Sequence, residues 1–133
     1  MIIDAGCMRM VQDPTRFDVL LMENLYGDLM SDLCAGLVGG LGVVPGSNIG
    51  EDAAVFEAVH GSAPDIAGKG IANPLAVIMS SVMMLNHIHE EAIAIKIRTA
   101  YNALLAEGKS LTRDLGGTAS TSEFADALIG RLK

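Results

Sequence analysis

The chain has 133 residues, of which 50% are hydrophobic and 15 are glycine, and its formal net charge is −7. This length suits one compact domain with a buried core, and the composition is typical of a globular helix-rich or α/β protein rather than a disordered chain or a β-sandwich. Residues 1 to 68 carry ten acidic side chains against Arg9 and Arg16 only, so a nucleic-acid partner, which needs a basic face, is not expected and a divalent cation fits better.

The first elements read as helix, strand, helix. Residues 2–12 have apolar positions at helical spacing, and Pro14 ends them. Residues 18–22, DVLLM, form a short apolar run that predicts a strand buried on both faces. Residues 27–38 return to helical spacing and reach Gly39–Gly40, where a C-cap glycine is expected. This order predicts an α/β fold with helices packed on a mixed sheet.

The middle of the chain is rich in turn residues. Residues 39–50 predict an extended, turning connection because glycine and proline are too frequent for a helix. Residues 54–59, AVFEAV, predict a strand. Residues 60–74, HGSAPDIAGKGIANP, predict a long loop, and loops of this length are usually functional.

The last third predicts helices. Residues 75–105 have apolar positions at spacings of three and four, interrupted around 87–89. Ser120 or Thr121, followed by Glu123, gives a capping signal for a final helix.

Cysteine usage and the amino terminus bear on the compartment. Cys7 and Cys34 have hydrophobic neighbours and no CxxC or His/Cys spacing, so free thiols in a reducing compartment are expected. There is no basic n-region and no apolar run of membrane-spanning length. The expected location is the cytoplasm, or the mitochondrial matrix in a eukaryote, without a membrane partner.

Two segments predict chemistry. Asp28 and Asp32 lie four residues apart, so a helix places them on one face, where they repel each other unless a cation lies between them. Such oxygen ligands suit Mg²⁺ or Mn²⁺, although a solvated acidic first turn is the alternative. In the long loop, small residues allow close approach of a ligand, and Asp65 suits a ribose diol; an ordered surface loop is the alternative.

Three weaker patterns are rejected. Gly40-Leu41-Gly42 follows a predicted helix rather than a strand, so it is not a dinucleotide fingerprint. Gly108-Lys109-Ser110 ends like a phosphate-binding loop, but Ala103 stands where that motif needs glycine. His87, His89, Glu90 and Glu91 predict a helix surface, because alternate positions face different directions.

Three strings of the sequence are distinctive: NLYGDLMSDLCAGLVGGLGVVPGSNIG, AVFEAVHGSAPDIAGKGIANP and LTRDLGGTASTSEFADAL. Together they resemble the carboxyl-terminal part of the β-decarboxylating dehydrogenases, which act on isocitrate, 3-isopropylmalate and homoisocitrate. The first and third strings resemble NAD-dependent isocitrate dehydrogenase most, whereas the loop is also similar to the isopropylmalate and homoisocitrate enzymes. The resemblance implies a fragment of that fold, with residues 1–38 in a small dimer-interface domain and residues 39–133 in a large cofactor-binding domain.

The resemblance also implies a site. Asp28 and Asp32 match the family's metal-binding pair, and Asp4 matches an aspartate that reaches the same Mg²⁺ or Mn²⁺ from the neighbouring subunit. Asp65-Ile66 stands where NADP-dependent members place lysine and tyrosine, so NAD is implied. The residues that match the cofactor site are Glu57, His60, Gly61, Ser62, Ala63, Asp65, Ile66 and Asn73.

The implied reaction is NAD-dependent oxidative decarboxylation of a hydroxy-tricarboxylate or hydroxy-dicarboxylate. The family's acid/base tyrosine and lysine and its substrate-binding arginines lie upstream of the matching segment, so the catalytic residues of this chain are unknown and no activity of the chain alone is expected. A dimer or larger oligomer is expected, with an amino-terminal partner chain as a further option. A non-catalytic regulatory module is the alternative of another class, but Asp4, Asp28 and Asp32 are all retained.

Overall fold

The computed structural model describes all 133 residues, which form two compact units, Met1–Gly40 and Leu41–Lys133. The helices are α1 (Ile3–Gln12), α2 (Asn24–Val38), α3 (Leu75–His87), α4 (Glu91–Glu107) and α5 (Thr121–Ile129). The strands are β1 (Pro45–Ile49) and β2 (Ala54–Ala58). None of the five helices combines the length and apolarity that crossing a bilayer demands.

The first unit is a pair of helices, α1 and α2. They approach closely because Gly6 of α1 has no side chain: a Cβ there would lie 3.4 Å from the Met30 Cε of α2. Met10, Met30 and Ala35 are buried. Cys7 and Cys34 are free and half-buried, which confirms the prediction of unpaired thiols.

The strand predicted at residues 18–22 is wrong. These residues form neither helix nor strand, and Val19 and Leu21 are 84% and 96% exposed. A strand is stable only when a neighbour satisfies its backbone hydrogen bonds. Within this chain the only strand pairing is between β1 and β2, so the apolar run has no sheet to join.

The second unit is built on a β-hairpin. Strands β1 and β2 are antiparallel, with Gly46 opposite Glu57 and Ser47 opposite Phe56. The mixed sheet that was expected is therefore a two-stranded antiparallel one, because a mixed sheet needs further strands. Residues 39–50 were predicted to be an extended, turning connection, and part of this segment forms the strand β1, which was not predicted.

The helices of the second unit enclose its core. Helix α3 packs on the hairpin and on α4, and α4 packs on α5. Ser80 of α3 donates its hydroxyl to the carbonyl oxygen of Glu57 at 2.7 Å, which fixes α3 against β2. The buried apolar residues of this core are Leu75, Val82, Ala94, Ala100, Tyr101, Leu104, Phe124 and Leu128.

Helix α5 begins with the predicted capping box. Ser120 accepts a hydrogen bond from the Glu123 backbone N–H, and the Glu123 carboxylate accepts one from the Ser120 backbone N–H. Two hydrogen bonds hold the pKa of the Glu123 carboxyl below its usual value: the one from the Ser120 backbone N–H has the larger effect, and the one from the Ser120 hydroxyl the smaller. A carboxyl whose pKa is lowered on folding stabilises the fold above its unfolded pKa, and this contribution is lost as pH falls through the folded pKa.

Replacing Ser120 by alanine is expected to lower the free energy of unfolding by about 1 kcal/mol, because the Glu123 backbone N–H loses its acceptor and the Glu123 carboxylate loses the Ser120 hydroxyl. Urea denaturation at neutral pH measures this loss. Below pH 4.5 the difference from the wild type should shrink as Glu123 becomes protonated. Ser122→Ala is the matched control, since Ser122 is exposed in the same helical turn. Equal losses in the two variants would contradict the capping role.

Candidate metal and cofactor site

Asp28 and Asp32 project from α2 as an exposed pair. The helix begins at Asn24, three residues before the predicted start, and ends at the predicted Gly39, whose φ is 121°. The first turn of α2 contains no acidic residue, and the favourable effect of the helix dipole on acidic side chains fades beyond that turn. The solvated first turn that was the alternative explanation is therefore not what the structure shows.

The two carboxylates have no partner within the chain. Neither Asp28 nor Asp32 accepts a side-chain hydrogen bond or forms an ion pair, whereas Arg16 of the same unit is paired with Asp13 at 3.1 Å. Two unpaired carboxylates one turn apart supply hard oxygen ligands with uncompensated negative charge. This donor set fits Mg²⁺ or Mn²⁺, which bind through one or two carboxylates and leave other positions to substrate and water.

Asp4 lies in the first turn of α1 and is exposed. One of its oxygens accepts the Ala5 backbone N–H at 2.6 Å. No three histidine, cysteine, aspartate or glutamate side chains of one chain converge as metal ligands. A metal ion with Asp4, Asp28 and Asp32 as ligands would therefore need Asp4 from another copy, and this arrangement stays a prediction.

The predicted loop at residues 60–74 has neither helix nor strand beyond turns and connects β2 to α3. Ala63 has a positive φ of 41°, and its carbonyl oxygen accepts the N–H groups of Ile66 and Ala67 at 3.0 and 3.1 Å. This tight turn presents Asp65 to solvent, where its carboxylate has no hydrogen-bond or ion-pair partner in the chain. Asp65 is thus free to accept from the hydroxyl groups of a ligand.

The other residues predicted for the cofactor differ in their surroundings. His60, Gly61 and Ser62 are exposed, and the His60 ring contacts the Gly61 carbonyl oxygen through Nδ1 at 3.0 Å. Glu57 lies at the end of β2, where its Oε1 accepts from Asn48 Nδ2 of β1 at 3.1 Å. Glu57 lies close to the loop because β2, which contains Glu57, leads into it.

The far end of the loop is anchored to α5. Thr121 donates its backbone N–H to the Gly70 carbonyl oxygen at 2.9 Å and its hydroxyl to the Ala72 carbonyl oxygen at 2.6 Å. In most surface loops, such carbonyl groups form hydrogen bonds with water instead. Here the amino terminus of α5 holds the loop where it approaches α3.

Asn73 differs from the other predicted cofactor residues because it is only 8% exposed. Its Nδ2 donates to Asp114 Oδ2 at 2.8 Å, and its Oδ1 accepts the Leu75 backbone N–H at 2.9 Å. The sequence reasoning missed Asp114 and Thr112, which donates to Asp114 Oδ1 at 2.6 Å. No spacing signal could reveal this contact, because Asn73 and Asp114 are 41 residues apart.

The glycines of the rejected patterns follow helix ends, and the histidines lie at the end of α3 and just beyond it. Gly40 follows α2, as predicted, and Gly108 ends α4 as a left-handed cap with a φ of 72°. The His87 ring packs beside Phe56 with centroids 5.4 Å apart. His89 lies 3.6 Å from the Glu91 carboxylate at the surface. These residues do not form a metal-binding cluster.

The family model of isocitrate/isopropylmalate dehydrogenase matches residues 1–128. The chain belongs to this family. Isocitrate dehydrogenase [NAD] subunit alpha, mitochondrial, from Sus scrofa is 58% identical over the whole chain, which covers 37% of that protein. The human protein of the same name is 56% identical, also over the whole chain. The chain therefore spans little more than a third of the curated relatives it matches.

Solved structures of the family confirm the fold. Isocitrate dehydrogenase from Methylococcus capsulatus is 52% identical with a TM-score of 0.93, over 99% of this chain and 40% of that one. A β-decarboxylating dehydrogenase from Thermococcus kodakarensis is 43% identical with a TM-score of 0.85, over 99% and 39%. The prediction of a fragment of the isocitrate/isopropylmalate dehydrogenase fold is confirmed.

Proposed function

We propose that this chain is the metal- and cofactor-bearing carboxyl-terminal part of an NAD-dependent isocitrate dehydrogenase. The observation that carries the proposal is the exposed pair Asp28 and Asp32, which has no partner in the chain. The relatives named as NAD-dependent isocitrate dehydrogenases support isocitrate as substrate and NAD as cofactor. The expected net reaction converts isocitrate and NAD⁺ to 2-oxoglutarate, CO₂ and NADH.

The carboxylates of Asp28 and Asp32 would hold Mg²⁺ or Mn²⁺, with Asp4 of a second copy as a further ligand. When bound, the cation supplies Lewis-acid polarisation of the substrate hydroxyl and of the carbonyl that replaces it. The chain's own contribution is to concentrate negative charge at one point on α2. The first unit has few cations, so recognition of the substrate carboxylates falls to residues outside this chain.

The loop at residues 60–74 would bind NAD. Its turn at Ala63 and its small residues allow the backbone to approach the cofactor closely. Asp65 would accept hydrogen bonds from a ribose diol, as carboxylates do in dinucleotide sites. Glu57, held by Asn48, would lie toward the nicotinamide end.

The first unit also exposes apolar side chains that support association with another chain. The exposed residues include Ile2, Val19, Leu21 and Leu25. Such exposed apolar surface commonly marks an interaction site. We infer a homodimer or larger oligomer, and a mitochondrial-matrix location in a eukaryote by analogy with the mitochondrial relatives.

NAD is expected to bind at least about ten-fold more tightly than NADP, because the exposed Asp65 carboxylate repels a 2′-phosphate. Isothermal titration of the chain with each nucleotide measures the ratio. Asp65→Asn should bring the two affinities closer, chiefly by improving NADP binding. Asp52→Asn, an exposed carboxylate of the hairpin turn, is the control and should leave the ratio unchanged. A wild-type preference for NADP would contradict the proposed cofactor.

The purified chain alone is expected to produce no NADH from isocitrate, NAD and Mg²⁺. The resemblance places the family's tyrosine and lysine acid/base pair upstream of the matching segment, so no catalyst for proton transfer is expected in this chain. Absorbance at the NADH band, with a complete isocitrate dehydrogenase as positive control, checks this. Turnover above the blank that survives further purification would show that this chain contains its own acid and base.

A further inference from the structure

Three segments that are distant in sequence meet around the Asp114 carboxylate. Asp114 Oδ1 accepts the Thr112 hydroxyl at 2.6 Å, and Oδ2 accepts Asn73 Nδ2 at 2.8 Å. A Cβ added to Gly42 would lie 3.0 Å from Asp114 Oδ2 and 3.5 Å from Asn73 Cβ. Thr112 is fully buried and Asn73 nearly so. Asp114 itself is exposed, so the contact is a polar node at the surface in which Thr112 and Asn73 are the buried members.

The node determines which way the Asn73 amide points. An ionised carboxylate can only accept hydrogen bonds, and a backbone N–H can only donate them. Asn73 lies between Asp114 on one side and the Leu75 N–H on the other. Its nitrogen must face Asp114 and its oxygen must face Leu75, because the flipped amide would set donor against donor and acceptor against acceptor. One of its two N–H groups remains without a partner in the chain.

We propose that Asp114 is a positioning residue for the cofactor loop: it holds the Asn73 amide so that the remaining N–H meets a hydrogen-bond acceptor on bound NAD. This inference rests on the proposed function of the loop. Each Asp114 oxygen accepts one hydrogen bond within the chain, and in this proposal Asp114 acts on the cofactor through Asn73. Gly42 contributes by leaving room for the carboxylate.

Replacing Asp114 by alanine tests the role directly. The Asn73 side-chain NH₂ signals and the backbone signals of residues 70–75 are expected to shift in ¹⁵N spectra of the chain without nucleotide. The NAD dissociation constant should rise about ten-fold, the effect of losing one oriented hydrogen bond. Asp126→Ala is the matched control, because Asp126 is an exposed carboxylate of the same unit whose side chain has no partner. Asp126→Ala should change neither these ¹⁵N signals nor the NAD dissociation constant.

A charge swap separates positioning from a purely structural role. Asp114→Asn combined with Asn73→Asp restores the hydrogen bond with its direction reversed, and the carboxylate at position 73 still accepts the Leu75 N–H. The melting temperature and the loop signals should return toward those of the wild type. NAD affinity should stay about ten-fold weaker, because the side chain at position 73 then has no N–H to donate.

The outcomes distinguish the two proposals. If the wild type binds NAD and Asp114→Ala binds it equally well, the positioning role is overturned while the proposed function stands. If the swap restores full NAD affinity, the orientation of the Asn73 amide is not what matters and the role is overturned. If the wild-type chain does not bind NAD, the cofactor assignment fails and the positioning role falls with it.

Discussion

Gly117→Ala is expected to unfold much of the second unit. A Cβ at position 117 would overlap the carbonyl group of Leu111, with 2.5 Å to the carbonyl carbon and 2.7 Å to the Leu111 Cβ. Leu111 cannot move aside easily, since its carbonyl oxygen also accepts the Ala119 N–H at 2.9 Å. Overlap with backbone rather than with a flexible side chain should cost more than about 3 kcal/mol in the free energy of unfolding.

Urea denaturation followed by circular dichroism measures this loss. Gly61→Ala is the control, because no atom lies within 4 Å of a Cβ at that position in the same unit. Its free energy of unfolding should stay within about 0.5 kcal/mol of the wild type. If Gly117→Ala were as stable as Gly61→Ala, the turn between Leu111 and Ala119 would not have the conformation described.

Asp28→Asn and Asp32→Asn are each expected to raise the Mn²⁺ dissociation constant at least about ten-fold. Mutation of a residue that only hydrogen-bonds to a metal ligand already lowers metal affinity or activity about 10–100-fold. Each substitution keeps the side-chain volume and removes one charged ligand from α2. Titration followed by the electron paramagnetic resonance of free Mn²⁺ measures the constants. Asp18→Asn removes an exposed charge from the same unit and should have little effect. A similar loss in all three variants would indicate only a general attraction of cations.

The contribution of Asp4 from another copy has its own test. Chains carrying Asp4→Asn and chains carrying Asp32→Asn should each bind Mn²⁺ weakly when alone. Mixed oligomers of the two should regain tight binding. In them, Asp28 and Asp32 of an Asp4→Asn chain can meet the intact Asp4 of an Asp32→Asn chain. If mixing restores nothing while both variants remain oligomeric, Asp4 is not a ligand supplied by a neighbour.

The helices were predictable from the sequence because their signals are local. Gly39 ends α2, Ser120 and Glu123 cap α5, and the interruption at residues 87–89 separates α3 from α4. Each depends on residues within one or two turns of the helix end. The largest shift concerned the start of α2, where Glu23 provides no side-chain cap to mark it.

The strands were less predictable because their stability depends on distant partners. The apolar run at residues 18–22 predicted a strand, yet its hydrogen bonds have no neighbour in this chain. Strand β1 was missed because PGSNI contains proline and glycine. Pro45 needs no N–H at the first position, and Gly46 allows the Val59 side chain to approach, since a Cβ there would lie 3.3 Å from Val59 Cγ2.

The candidate site was predictable in its residue types but not in its supporting contacts. Asp28 and Asp32 follow from helical spacing, and the loop follows from its length and small residues. The contact between Asn73 and Asp114 depends on how the end of the loop meets the segment that leads into α5, which no local pattern specifies. Resemblance to a family supplied residue roles that spacing alone left open.

Nuclear magnetic resonance of the ¹⁵N-labelled wild-type chain with substoichiometric Mn²⁺ tests most directly whether α2 holds a divalent metal. Paramagnetic broadening is expected to remove the backbone signals around Asp28 and Asp32 first, while signals around the exposed acidic pair Glu51 and Asp52 persist. Excess Mg²⁺ should restore the lost signals, since the same ligands suit both ions. Uniform broadening at all exposed carboxylates, or loss first at residues far from α2, would contradict the metal site.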